Sequence, residues 1–136
     1  MLPEENAQVI KEWLQKSAQD LLAGEHLLKQ KPILTEPVCF FTQQAIEKAL
    51  KAFLIWKGIR PKKTHDLREL SSHVLQFDLS FRPLLHQVES LSRFAVTIRY
   101  PGEDDPPTIR EARGNLKLAR KVYREVLKRL PNEIHS

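Results

Sequence analysis

Residues 37–56, PVCFFTQQAIEKALKAFLIW, constrain the fold more than any other stretch of the chain. At about 100° per residue, Val38, Phe41, Ala45, Ile46, Ala49, Leu50, Phe53 and Trp56 project onto one face covering nearly half of a helix circumference. So broad an apolar face has to be covered from several sides, which makes this segment a central helix with the rest of the chain packed around it. Pro37 at its start and Gly58 just past its end follow the asymmetry that helix termini favour. Phe40 and Ile55 fall outside the face, and on an otherwise polar surface they point to a second contact, with another subunit.

The same period organises the remaining sequence into four more helices. The first runs from about Glu5 to Gln30, with Val9, Ile10, Trp13, Leu14, Leu21 and Leu28 on one side; KPILTEP ends it, because two closely spaced prolines cannot sit in a helix interior. After the basic turn GIRPKK, Thr64 is the expected cap of a short third helix ending near Leu75, with Asp66 complementing its dipole. Ser80 is the expected cap of a fourth helix that tolerates Pro83 in its first turn and carries Phe81, Leu84, Leu85, Val88, Leu91, Ala95 and Ile98 inward. Thr108-Ile109-Arg110-Glu111 reads as a capping box opening the last helix, which runs to Leu130 before Pro131. With four glycines and no alternating apolar run, the expected fold is all-α: a five-helix, up-and-down-like bundle with almost no strand.

A chain of 136 residues that is 41% hydrophobic can bury one core without disulfides or metals, so a single domain over 1–136 is expected. Cys39 has no partner cysteine and sits among Val38, Phe40 and Phe41, as a small buried hydrophobe of a reducing compartment would. No apolar run approaches the ~20 residues of a membrane span, and MLPEENAQ is not built like a signal peptide, so a cytoplasmic protein without a membrane partner is expected.

Several polar residues break the pattern. Arg99 and Ser92 project beside Leu85 and Val88 on the fourth helix, and Asp20 projects near Val9 and Trp13 on the first, next to the small Ser17 and Gly24 that permit close helix approach. Buried charge is costly unless paired or facing water, so Asp20 and Arg99 are expected to line a common polar pocket. On the last helix Arg110, Arg113, Lys117, Arg120, Lys121, Arg124 and Lys128 share an arc of roughly 100°, with no acid among them. A stripe of one sign suits phosphates or an acidic partner surface. The net charge of +5 agrees without deciding between them. No histidine or cysteine has metal-ligand spacing and no glycine-rich loop could cradle phosphates, so neither metal nor cofactor is expected. His65, beside Asp66, is the one histidine whose setting is distinctive.

The segment CFFTQQAIEKALKAFLIWKG followed by KKTHDL, with the earlier AQDLLAGEHLL and the later IRYPG, resembles the HEPN domain family over about residues 8–128. The resemblance implies a helical bundle that dimerises around a basic cleft. Small stand-alone members are often encoded with a minimal nucleotidyltransferase as a toxin–antitoxin-like pair. Many HEPN domains are metal-independent ribonucleases with an Arg followed after four to six residues by a His, near the end of the fourth helix. There the His exchanges the proton of an attacking 2′-hydroxyl and the Arg stabilises the phosphorane.

This sequence departs from that pattern. Arg99 occupies the expected place, but Tyr-Pro-Gly-Glu-Asp-Asp-Pro-Pro follows it and supplies no His. Arg60 and His65, Arg68 and His73, and Arg129 and His135 have the spacing in other elements. Glu103, Asp104 and Asp105 also make the loop unwelcoming to phosphate. The expectation is a non-enzymatic, homodimeric HEPN protein that binds a nucleotide or a partner nucleotidyltransferase. Asp20, His65, Arg99 and Tyr100 would line its cleft and the basic stripe would carry the electrostatic contact. The alternatives are a weak ribonuclease using Arg99 with His65, and a structural homodimer without ligand.

Overall fold

The computed structural model describes residues 3–91 and 105–135. Among these the chain forms α1 (Glu4–Lys29), α2 (Thr35–Trp56), α3 (Leu67–Leu75), a 3-10 turn (Leu79–Phe81), α4 (Arg82–Glu89), α5 (Ile109–Arg129) and a one-turn α6 (Asn132–His135), with no strand. The all-α bundle read from the sequence is the fold. The sixth helix was not anticipated: Pro131 ends α5, but its carbonyl accepts the Ile134 N–H of a further turn that buries Ile134.

Helix α2 is the axis of the bundle. Helix α1 folds back against it as an antiparallel hairpin, α5 packs on both, and α3 lies on α2 and carries α4. Thirteen of the 22 residues of α2 are buried, so its buried surface is wider than the predicted face and takes in Thr42, Gln43, Glu47, Lys51 and Leu54. Phe53 meets Phe81 edge to face, with ring centroids 5.2 Å apart, and both are fully buried. Burial of each such ring is worth roughly 1.5–3 kcal/mol. Of the two residues expected outside the core, Phe40 is exposed, whereas Ile55 is half-buried against the core.

Small side chains set the helix spacing, as Ser17 and Gly24 suggested. The Ser17 hydroxyl donates to the Ala45 carbonyl across the α1–α2 seam at 2.6 Å. A Cβ at Gly24 would lie 3.2 Å from Cδ1 of Leu116, closer than ordinary van der Waals contact.

Three helix starts differ in detail from expectation. Helix α2 begins at Thr35, with Pro37 in a first turn whose N–H groups have no intrahelical partner anyway. Asp66, not Thr64, caps α3 by accepting from the Arg68 N–H, while the Thr64 hydroxyl accepts from the Asp66 N–H. Asp78, not Ser80, plays the capping role ahead of α4, because its carboxylate takes both the Ser80 N–H and the Ser80 hydroxyl. The capping box of α5 is present: Thr108 accepts from the Glu111 N–H and Glu111 from the Thr108 N–H.

Arg129 fastens the end of α5 to this corner. Its Nε lies 3.0 Å from Asp78 Oδ2, Nη1 2.9 Å from Glu125 Oε1 and Nη2 2.8 Å from the Ser80 hydroxyl, with the guanidinium over the Phe81 ring. The Ser80 hydrogen bond, reinforced by Arg129, holds the Asp78 carboxyl below its ordinary pKa, and the Arg129 hydrogen bond does the same for Glu125. The inward residues Phe81, Leu84, Leu85, Val88 and Leu91 are buried as expected. Ser92, Ala95, Ile98, Arg99, Tyr100, Glu103 and Asp104 lie outside the described residues.

Candidate functional site

Two grooves use opposite ends of α1. The first lies between the C-terminal half of α1 and α5, has a volume of about 570 Å³ and is lined by Glu25, Leu28, Lys29, Arg113, Leu116, Lys117, Arg120 and Arg124. The amphipathic period of α5 creates it. Ala112, Leu116, Ala119, Val122 and Val126 turn inward, so the seven stripe residues, Arg110, Arg113, Lys117, Arg120, Lys121, Arg124 and Lys128, are all exposed as predicted. Among the described residues Glu25 is the one acid in the lining, and Arg120 engages it through Nε and Nη2, both at 2.9 Å. Lys128 stands 3.9 Å from Glu125. Among the described residues no carboxylate pairs with Arg113, Lys117 or Arg124, and all three are exposed. An anion reaching this groove would meet several guanidinium and ammonium groups at once, with field lines focused between two helices.

The second groove, of about 540 Å³, lies between the N-terminal half of α1, the end of α2 and the turn over residues 58–63. Gly58, at φ 80°, provides the left-handed residue after α2. The Gly58 N–H donates to the Ile55 carbonyl and the Ile59 N–H to the Leu54 carbonyl, a Schellman ending that turns Ile59 and the basic turn back across α2.

Next to this groove is a buried ionic cluster. Glu47 and Lys51, one turn apart on α2, pair at 3.0 Å with their side chains 5% and 8% exposed. The other Glu47 oxygen lies 2.8 Å from Nδ1 of His65, whose ring is 75% exposed. A buried carboxylate thus fixes the imidazole and leaves Nε2 directed to water. Lys51 also sits over the Trp13 ring, 5.5 Å from its centroid. Sequence reasoning singled out His65 but missed Glu47 and Lys51. An i,i+4 Glu/Lys pair usually marks a solvated face, and only the unusual width of the α2 face hinted that these two were inside.

Asp20 binds Lys48 of α2 at 2.6 Å in a part-buried pair. The polar intrusion on α1 is therefore paired, and the partner the structure gives it is Lys48. Arg99, the partner expected from sequence, lies outside the described residues, as does Tyr100. Asp20 and His65 engage consecutive α2 residues, Lys48 and Glu47, whose side chains diverge by about 100° around the helix. Of the three Arg/His spacings set aside earlier, Arg129 is consumed by Asp78, Glu125 and Ser80, while Arg60 lines the second groove. No cluster of three His, Cys, Asp or Glu side chains among the described residues could hold a metal ion.

The model of the HEPN domain matches residues 10–130, nearly the whole chain. The chain belongs to the HEPN domain family. No curated protein and no solved structure matches it. As a HEPN domain it carries an exposed basic stripe on α5, four of whose residues line the groove toward α1, and a histidine between α2 and α3 that is hydrogen-bonded to Glu47. No helix of this HEPN domain, among the described residues, is long and apolar enough to cross a membrane.

Proposed function

We propose that this protein is a non-enzymatic HEPN module that binds a nucleotide or, in preference, a partner nucleotidyltransferase, as one member of a toxin–antitoxin-like pair, and that it acts as a homodimer. The observation that carries the reading is the α1–α5 groove, where Lys29, Arg113, Lys117 and Arg124 surround a single acid that Arg120 already engages. Such a surface gives fast, salt-sensitive attachment to phosphates or to an acidic protein face. Among the described residues its lining includes no histidine. The one histidine among the described residues with a carboxylate partner, His65, belongs to another part of the molecule, and the chain places no His after Arg99 at the ribonuclease spacing.

Calorimetric titration with a minimal nucleotidyltransferase encoded beside this chain, with nucleotides and with single-stranded RNA, tests the reading. Saturable binding that weakens with salt, and that falls at least about tenfold when Lys117→Glu and Arg124→Glu are combined, is expected. RNA cleavage abolished by both Arg99→Ala and His65→Ala would replace it with the ribonuclease, and silence toward every ligand would leave the structural homodimer.

A further inference from the structure

The groove at the other end of α1 has a different chemistry, and we infer that it is a binding site for a small amphipathic anion: an elongated or flat apolar body ending in a carboxylate, sulfonate or phosphate. Its floor is apolar. Val9 and Trp13, one turn apart on α1, face Ile55 of α2 and Ile59 of the turn. Val9 and Ile59 remain 40% and 36% exposed, so the fold itself leaves this apolar surface open. The rim is cationic. Arg60 and Lys63 form no ion pair among the described residues, and Lys62 has only a 3.4 Å contact with Glu69 in which both side chains are exposed.

No carboxylate among the described residues lines the groove, and the neighbouring acid, Glu47, is neutralised by Lys51. Charge complementarity therefore asks for an acid on the ligand, while the floor asks for hydrocarbon or an aromatic ring. A volume of about 540 Å³ suits a small molecule, since ligand sites typically span roughly 300–1,000 Å³ with a mostly apolar lining and a few convergent polar groups. The Gly58 turn and the His65–Glu47 contact tie down the backbone at both ends of the basic segment.

The test is a fluorescence titration of the full chain with 8-anilinonaphthalene-1-sulfonate, followed by displacement with dodecanoate. Expected are saturable dye binding, competition by dodecanoate and weakening with salt. Val9→Glu, which puts a carboxylate on the floor, should weaken binding at least about tenfold. Arg60→Glu combined with Lys63→Glu, at two exposed turn positions that leave the core untouched, should weaken it at least about threefold. Arg82→Glu on α4 should change nothing. Circular dichroism of each variant separates loss of the site from loss of the fold.

Non-saturating dye uptake, indifference to both groove variants, or equal sensitivity to Arg82→Glu would overturn the inference. Displacement by an acidic amphipathic peptide but not by dodecanoate would also overturn it, assigning the groove to a polypeptide. So would loss of dye binding as the protein is concentrated, which would assign it to a second copy of the chain.

Discussion

The two grooves that share α1 are nearly equal in volume, about 540 and about 570 Å³, yet they solve opposite problems. In the basic groove the floor is completed by packing, with Leu116 buried, and on the walls only Arg120 is answered, by Glu25, among the described residues. In the apolar groove the charges nearest the core are answered, Glu47 by Lys51 and His65, and the floor is left uncovered. The contrast shows where each kind of unsatisfied surface can be kept. Exposed like charges cost little in water and can stay on an outer helix face. Exposed hydrocarbon beside an ionic cluster needs a rigid frame, which the Gly58 turn and the buried pair supply.

The largest expected effect breaks one groove and spares the other. Glu47→Ala leaves Lys51 buried without its counter-charge and frees His65, and should cost about 3 kcal/mol in urea unfolding. In the same variant the affinity of the basic groove for its ligand should be unchanged wherever the protein remains folded. Next comes the converse. Lys117→Glu with Arg124→Glu should lower binding of a phosphate polyanion at least about tenfold and flatten its salt dependence, with a thermal midpoint close to that of the parent. A third change sharpens the role of the shared helix: Asp20→Asn strips the part-buried Lys48 of its charged partner and should cost about 1 kcal/mol, read from the urea midpoint. Unchanged stability there would show that Lys48 reaches water and that the α1–α2 seam holds without the pair.

The smallest effect is a pH dependence located away from both grooves. Folded Asp78 and Glu125 hold protons more weakly than they do in the unfolded chain, because Ser80 and Arg129 bind their charged forms. The unfolded state therefore gains more protons in acid. The stability these groups contribute is present at neutral pH and is lost as pH falls below their ordinary values of 4.5 and 3.8 toward the lowered ones. Arg129→Met should flatten the acid limb of a plot of thermal midpoint against pH, most visibly below about pH 4.5. An unchanged acid limb would mean that the corner is too well solvated to matter.

The five longer helices were legible in the sequence because burial on one side imposes a 3.6-residue period, whereas the four residues of α6 are too few to show one. The α5 stripe was legible for the same reason: an outer helix shows water a face whose composition local spacing reveals. Cross-helix partners were not. Lys48 for Asp20 and Glu47 for His65 depend on how helices distant in sequence are set in register, and no local spacing encodes that. The caps at Asp66 and Asp78 were misassigned to Thr64 and Ser80 because Asp, Ser and Thr compete for the same role within two residues. Glu47 and Lys51 were hidden by a spacing that ordinarily advertises a wet surface.

Position 24 sets the gauge of the basic channel. With only a hydrogen there, α1 can lie against Leu116, and the cations of α5 are drawn to within reach of Glu25 and Lys29 on the opposite bank. One methyl group there would act as a shim, asking Leu116 on the facing helix to give way by a few tenths of an ångström. The spacing of the two banks thus rests on an atom that lies beneath the charges.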